Sequence, residues 1–157
     1  EKGESADAVA LYAAWTRQGR ATTPAGRETA LRLARLYLAD YSTRENARAM
    51  LREIAAQTPR KTESLPLADR NTFAASLTLL GNLLREDADF DGASEALLSA
   101  GTLYAPVDGE RSAEALYGAA DSFLQAGARA DAQKTVDTLA RTWPDSVWTR
   151  RAAILME

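Results

Sequence analysis

The tightest constraint on this chain is a spacing that recurs along it. In "ADAQKTVDTLARTWPDS", Ala130 to Ser146, Ala132 is followed by Val136, Leu139 and Pro144 at offsets of four, seven and twelve. "NARAMLREIAAQTP" places Ala47, Leu51, Ile54 and Pro59 at the same offsets. "GASEALLSAGTLYAP" gives Ala93, Leu97 and Ala100, with Pro106 one place late. Offsets of four and seven lie on one face of an α-helix. The proline falls beyond the helix end, where a missing amide does no harm. A unit of this kind cannot bury its apolar face alone, so neighbouring units must stack on one another.

Alanine, leucine and arginine dominate and β-branched residues are sparse, which favours helix almost throughout. Helical periodicity predicts eight segments, near 5–18, 24–40, 43–58, 66–87, 91–104, 110–126, 129–142 and 146–156. Ser42 with Glu45 forms an S-x-x-E capping box that would start the third. Asp91 would cap the fifth, and Asp145 or Ser146 the eighth. Pro66, Leu67 and Phe73 extend the fourth by about two turns ahead of its repeat motif. No segment alternates apolar and polar residues long enough for a strand, so the expected fold class is all-α.

Composition removes several kinds of chemistry. With no cysteine and no histidine, thiolate and imidazole nucleophiles are absent, as are zinc sites built on either. No convergent pair of carboxylates stands out, so the expectation is a non-enzyme with no cofactor. The net charge is −3 and the sixteen arginines are scattered among acids, which gives no footprint for nucleic acid. No apolar run reaches the length of a membrane span. The sequence opens on Glu1 rather than Met, which suits either a processed product or a trimmed chain, so that a signal peptide or a lipid-bearing cysteine could have been removed.

Residues 113–146 resemble a tetratricopeptide repeat, a helix–turn–helix unit of about 34 residues. Leu116, Ala119, Ala120 and Phe123 occupy the motif positions of the first helix. Gly127 stands at the turn, and Ala132, Val136 and Pro144 complete the second. Ala140 and Trp143 extend the inward stripe of that second helix. The same ruler fits 74–107 through Leu77, Leu80, Gly81, Leu84, Ala93, Leu97 and Ala100. It fits 28–61 through Leu31, Ala34, Leu38, Ala47, Leu51 and Ile54, departing at Arg35, where the family has a small residue. Residues 1–20 resemble a half repeat and 147–157 a cap or half repeat. The resemblance implies one domain over 1–157, an α-solenoid of about eight helices stacked as a right-handed superhelix.

By position, the family's concave groove would present Arg32, Leu36 and Asp40 from the first copy. The second would add Thr78, Asn82, Arg85 and Glu86, and the third Glu114, Tyr117, Asp121 and Gln125. Asn82, Arg85, Tyr117 and Asp121 are the candidate contacts to a partner protein or peptide. Leu36 and Leu79 stand where the chaperone-binding subtype has Asn, so that subtype's carboxylate clamp is incomplete. Leu11, Trp15, Trp148 and Ile154 make the end helices apolar enough to pack on a neighbour, including a second copy. In "DADFDG", Asp87, Asp89 and Asp91 match the opening of a calcium loop, but Leu98 stands where the closing Glu belongs. The "TWPDSVW" junction is similar to those of bacterial periplasmic and lipid-anchored repeat proteins. The expected role is therefore a non-catalytic scaffold in the cell envelope. The alternatives are a ligand- or ion-binding accessory lipoprotein of a transport complex and a self-assembling module.

Overall fold

In a computed structural model, which describes Ala10, Ala14 and residues 22–157, the alanine-rich segments form seven α-helices and no strand among the described residues. They are α1 (Pro24–Leu38), α2 (Arg44–Ala56), α3 (Leu67–Glu86), α4 (Phe90–Tyr104), α5 (Gly109–Gln125), α6 (Arg129–Thr142) and α7 (Val147–Leu155). Of the expected helix at 5–18 only Ala10 and Ala14 are described, both helical, and Leu11 and Trp15 fall outside the described residues. The chain divides into two compact units, Glu1–Ser64 and Leu65–Glu157, and the division falls between the expected repeats 28–61 and 74–107.

In the first unit α1 packs on α2. Thr23 caps α1 by accepting from the Gly26 amide at 3.0 Å, and Pro24 occupies the first turn, where its fixed φ suits a helix start. The start of α2 differs from the expected capping box. Asp40 accepts from both the amide and the hydroxyl of Ser42, at 2.9 and 2.8 Å, and so takes Ser42 into a 3-10 turn, Tyr41–Thr43. The helix then begins one residue later behind Thr43, whose hydroxyl donates backwards to the Tyr37 carbonyl at 2.8 Å and caps nothing.

In the second unit α3 packs on α4, α4 on α5 and α5 on α6, while α7 returns to pack on both α5 and α6. The α3–α4 and α5–α6 connections are the same turn. Asp89 donates its amide to the Leu84 carbonyl and Ala88 to that of Arg85; Ala128 donates to Phe123 and Gly127 to Leu124. This is the paired bonding of a Schellman end, which requires one left-handed residue. Ala88 (φ 60°) and Gly127 (φ 78°) supply it. The cap of α4 is Asp89, accepting from the Gly92 amide at 3.1 Å, rather than the expected Asp91, which lies inside the first turn. Of the two expected caps of α7, Asp145 and Ser146, it is Ser146 that caps it, and its hydroxyl also donates to Glu110 of α5 at 3.0 Å.

The motif positions are where the core forms. The alanines Ala47, Ala93 and Ala132, the residues four further on (Leu51, Leu97, Val136) and those seven further on (Ile54, Ala100, Leu139) are all buried. So are Leu31, Leu77 and Leu116, one helix earlier in each copy. Arg35 escapes the conflict its size poses by pointing into solvent, and Ala34 beside it is buried instead. Ala140, expected on the inner stripe, is exposed. Three copies burying one set of offsets is consistent with a helical repeat.

Close approach in the second unit rests on missing side chains. A Cβ on Gly81 would lie 2.6 Å from Leu97 Cγ, and one on Gly118 would lie 3.1 Å from Leu97 Cδ1. Leu97 of α4, 1% exposed, therefore fits between notches on α3 and α5. Gly101 returns the arrangement, admitting Leu116 of α5 within 2.6 Å of where its own Cβ would be. The Ser112 hydroxyl fixes that crossing by donating to the Gly101 carbonyl at 2.7 Å, which satisfies a buried polar group on each helix.

Candidate functional site

An open cleft of about 450 Å³ lies between α3, the start of α4 and α5, lined by Asn82, Arg85, Glu86, Phe90, Asp121 and Gln125. Its position follows from the notches just described, since the Leu97 contact holds α5 beside α4 and α4 beside α3. Asn82, Arg85 and Glu86 lie on the last turns of α3, and Asp121 and Gln125 are four apart on α5, one above the other on a single face. Arg85 and Asp121 form an ion pair across the cleft, through Nη2 and Oδ2. Their side chains are 34% and 20% exposed, so the pair is partly desolvated and orders the floor. The second guanidinium nitrogen runs past Gly118, within 3.8 Å of where a Cβ would stand.

The structure brings three of the four candidate contacts together and separates the fourth. Asn82, Arg85 and Asp121 share the cleft, with Glu86 and Gln125 from the wider groove assignment. Tyr117, one turn before Asp121, packs instead against Trp148 of α7, ring centroids 5.4 Å apart and planes at 37°. Both rings lie against a buried cluster of Ala113, Leu116, Ala120, Val136, Leu139 and Ala152. Phe90 is the cleft residue that sequence reasoning passed over. As the first residue of α4, directly behind the Asp89 cap, it stands at the end of α3 where the cleft opens.

The remaining candidates disperse. Trp148 is half-buried between Tyr117 and the Arg151 guanidinium, which lies 4.8 Å over its ring. Ile154, 67% exposed, and Val147, 42% exposed, face outward on α7. Leu11 and Trp15 lie outside the described residues. Asp89 is committed to capping α4, and among the described residues no three acidic side chains gather as a metal site, Asp87, Asp89 and Asp91 included. Among the described residues no helix is long and apolar enough to cross a membrane.

A smaller cavity, about 190 Å³, lies between α4, α5 and α6. Leu98, Leu116 and Phe123 line it together with Asp131, Lys134, Thr135 and Thr138. Lys134 and Asp131 are bonded to each other at 2.9 Å.

No protein-family model, no curated protein and no solved structure matches this chain.

Proposed function

We propose that the chain is a non-catalytic interaction module of the tetratricopeptide kind, with its helices stacked as a right-handed solenoid, acting as a scaffold in a bacterial cell envelope. The observation that carries the reading is the cleft: five residues placed in a groove by motif position line one preformed concavity. A pre-ordered cleft binds without first ordering itself, which lowers the entropic cost of association. Polar groups on both walls would fix the orientation of a partner segment, and Phe90 would supply apolar contact area.

The test is retention of an envelope protein by the chain and by an Asn82→Ala/Gln125→Ala variant. Both side chains are exposed, so their loss leaves the fold intact. Retention by the parent alone supports the cleft. Equal retention by both removes it.

A second reading, self-association through α7, is favoured by the outward exposure of Val147 and Ile154. Sedimentation that depends on concentration in the parent, and not in Ile154→Glu, would support it.

A further inference from the structure

The exposed residues of α7 fall into one stripe. Val147, Arg150, Arg151 and Ile154 stand at offsets of three, four and seven, which puts them on a single helix face, and all four are exposed. Neither guanidinium meets a carboxylate among the described residues. Arg150 donates to the Asp145 carbonyl at 2.9 Å, and Arg151 lies over the Trp148 ring. The stripe is two cations between two apolar side chains.

The exposed stripe of α4 carries the opposite charge. Asp91, Glu95, Leu98 and Thr102 stand at offsets of four, seven and eleven on one face, all exposed. Neither of the two carboxylates meets a cation among the described residues. Beside Leu98 opens the cavity of about 190 Å³ that Leu116 and Phe123 also line. Thr135 and Thr138 donate their hydroxyls to carbonyls of their own helix, at 2.9 and 2.8 Å, and Lys134 is bonded to Asp131. What fills this space therefore needs neither a charge nor a hydrogen-bonding group. A cavity of about 150 Å³ admits a benzene ring, and the side chain of isoleucine has similar bulk. Glu95 and Leu98 are three residues apart, as are Arg151 and Ile154, so the charged and apolar contacts fit together in one register.

We propose that α7 of one copy docks on α4 of a second copy. Arg150 and Arg151 meet Asp91 and Glu95, while Ile154 enters the cavity beside Leu98. Pairing α7 with α7 would instead gather four guanidiniums with no carboxylate on either stripe. The two surfaces are different patches of one chain, so every copy offers both, and copies add until a ring closes. The inference rests on the self-association reading above and adds the surface that receives α7.

The test is sedimentation equilibrium of the whole chain at low salt. The parent is expected to associate as concentration rises, with a Kd on the order of 100 μM, and more weakly when salt is added. Glu95→Arg and Arg151→Glu change exposed residues, and circular dichroism checks that each stays folded. Each alone is expected to weaken association about tenfold, because like charges then face one another. An equal mixture of the two should regain the association of the parent, since each reversed charge meets the other. Glu95→Gln and Arg151→Gln keep the size of the side chain and should each weaken association about threefold, and they decide the matter if a reversal unfolds the chain.

A parent that stays monomeric overturns both this proposal and the self-association reading. Association lost in Arg151→Glu but kept in Glu95→Arg overturns the proposal alone and leaves α7 meeting another surface. A mixture that associates no better than either variant overturns it as well. The retention experiment with Asn82→Ala/Gln125→Ala decides the cleft separately, because neither stripe includes those residues.

Discussion

The α3–α4 pair and the α5–α6 pair solve one packing problem with opposite choices. At the crossing of the first pair, Gly81 faces Leu97; at the crossing of the second, Ala120 and Val136 share one buried cluster. Each combination carries four side-chain carbons, so the volume between the helices is kept while its division is reversed. The turns are exchanged in the same way. The left-handed residue is Ala88 in the pair that sets Gly81 against Leu97 and Gly127 in the pair that sets Ala120 with Val136. The fold thus specifies a summed volume and a backbone conformation at these places, and the identity of any one residue follows from its partner.

The joint between the two pairs should be the least forgiving place. A Cβ on Gly101 would stand 2.6 Å from Leu116 Cγ and 3.3 Å from the Ser112 carbonyl oxygen, so backbone as well as side chain must shift. Gly101→Ala is expected to cost about 3 kcal/mol in urea unfolding, the upper range for overpacking. Ala140 stands at the equivalent place of the next pair but is exposed. Ala140→Lys is therefore expected to change stability by less than about 0.5 kcal/mol. A comparable cost at both positions would mean that the two pairs are joined onward in the same way.

Within the first pair, Gly81→Ala gains helix propensity but presses on Leu97 Cγ, for an expected net loss of about 1–2 kcal/mol. Leu97→Val alone is expected to lose about 1 kcal/mol through the space it leaves. The double variant recreates the Ala/Val combination of the second pair and should return to within about 0.5 kcal/mol of the parent. Additive losses in that cycle would sink the idea that volume is shared.

The turns give a smaller effect of either sign. Ala88 holds a positive φ at a steric cost that glycine lacks, so Ala88→Gly is expected to stabilise by about 1 kcal/mol. Gly127→Ala, with open space around its Cβ, should lose about the same from backbone strain alone. Thermal unfolding of both variants reads the pair of signs. If both destabilise, contacts at Ala88 outweigh its strain.

Much of the architecture was legible because it is written in offsets. Ala47, Ala93 and Ala132 are fully buried, and the burial of the residues four and seven further on repeats in each copy. What escaped prediction was decided by competition among near neighbours. Asp40 and Glu45 both lay within reach of Ser42, and Asp40 took it because both its bonds close within two residues. Asp91 was the expected cap of that helix, and the left-handed Ala88 placed Asp89 at its start instead. The site was legible in part for a different reason. Asn82, Arg85 and Asp121 follow from position on the helices that form the cleft, whereas Tyr117 depends on α7, whose return across α5 no local pattern specifies.

The turn before α2 supplies the weakest effect and the sharpest contrast with the other two. Asp40 is held below the ordinary carboxyl value of 3.8, first by the Ser42 amide and then by the Ser42 hydroxyl, against a small opposing effect of burial. A depressed carboxyl contributes fully above the unfolded value and loses its contribution as the pH falls through the lower, folded one. The 3-10 turn should therefore loosen only below 3.8, when protonation removes the acceptor from Ser42. Ser42→Ala keeps the amide bond and deletes the hydroxyl, so the Asp40 carboxyl is expected to titrate higher than in the parent yet still below 3.8. A carbon-detected NMR titration of Asp40 in the two proteins measures this, and no difference between them would assign the whole shift to the backbone. The Gly127 turn is closed by amides of Gly127 and Ala128 bonding to backbone carbonyls, with no carboxylate in those bonds, and should hold its resonances unchanged over the same range. Acid sensitivity would then separate a turn closed by a side chain from one closed by its own backbone.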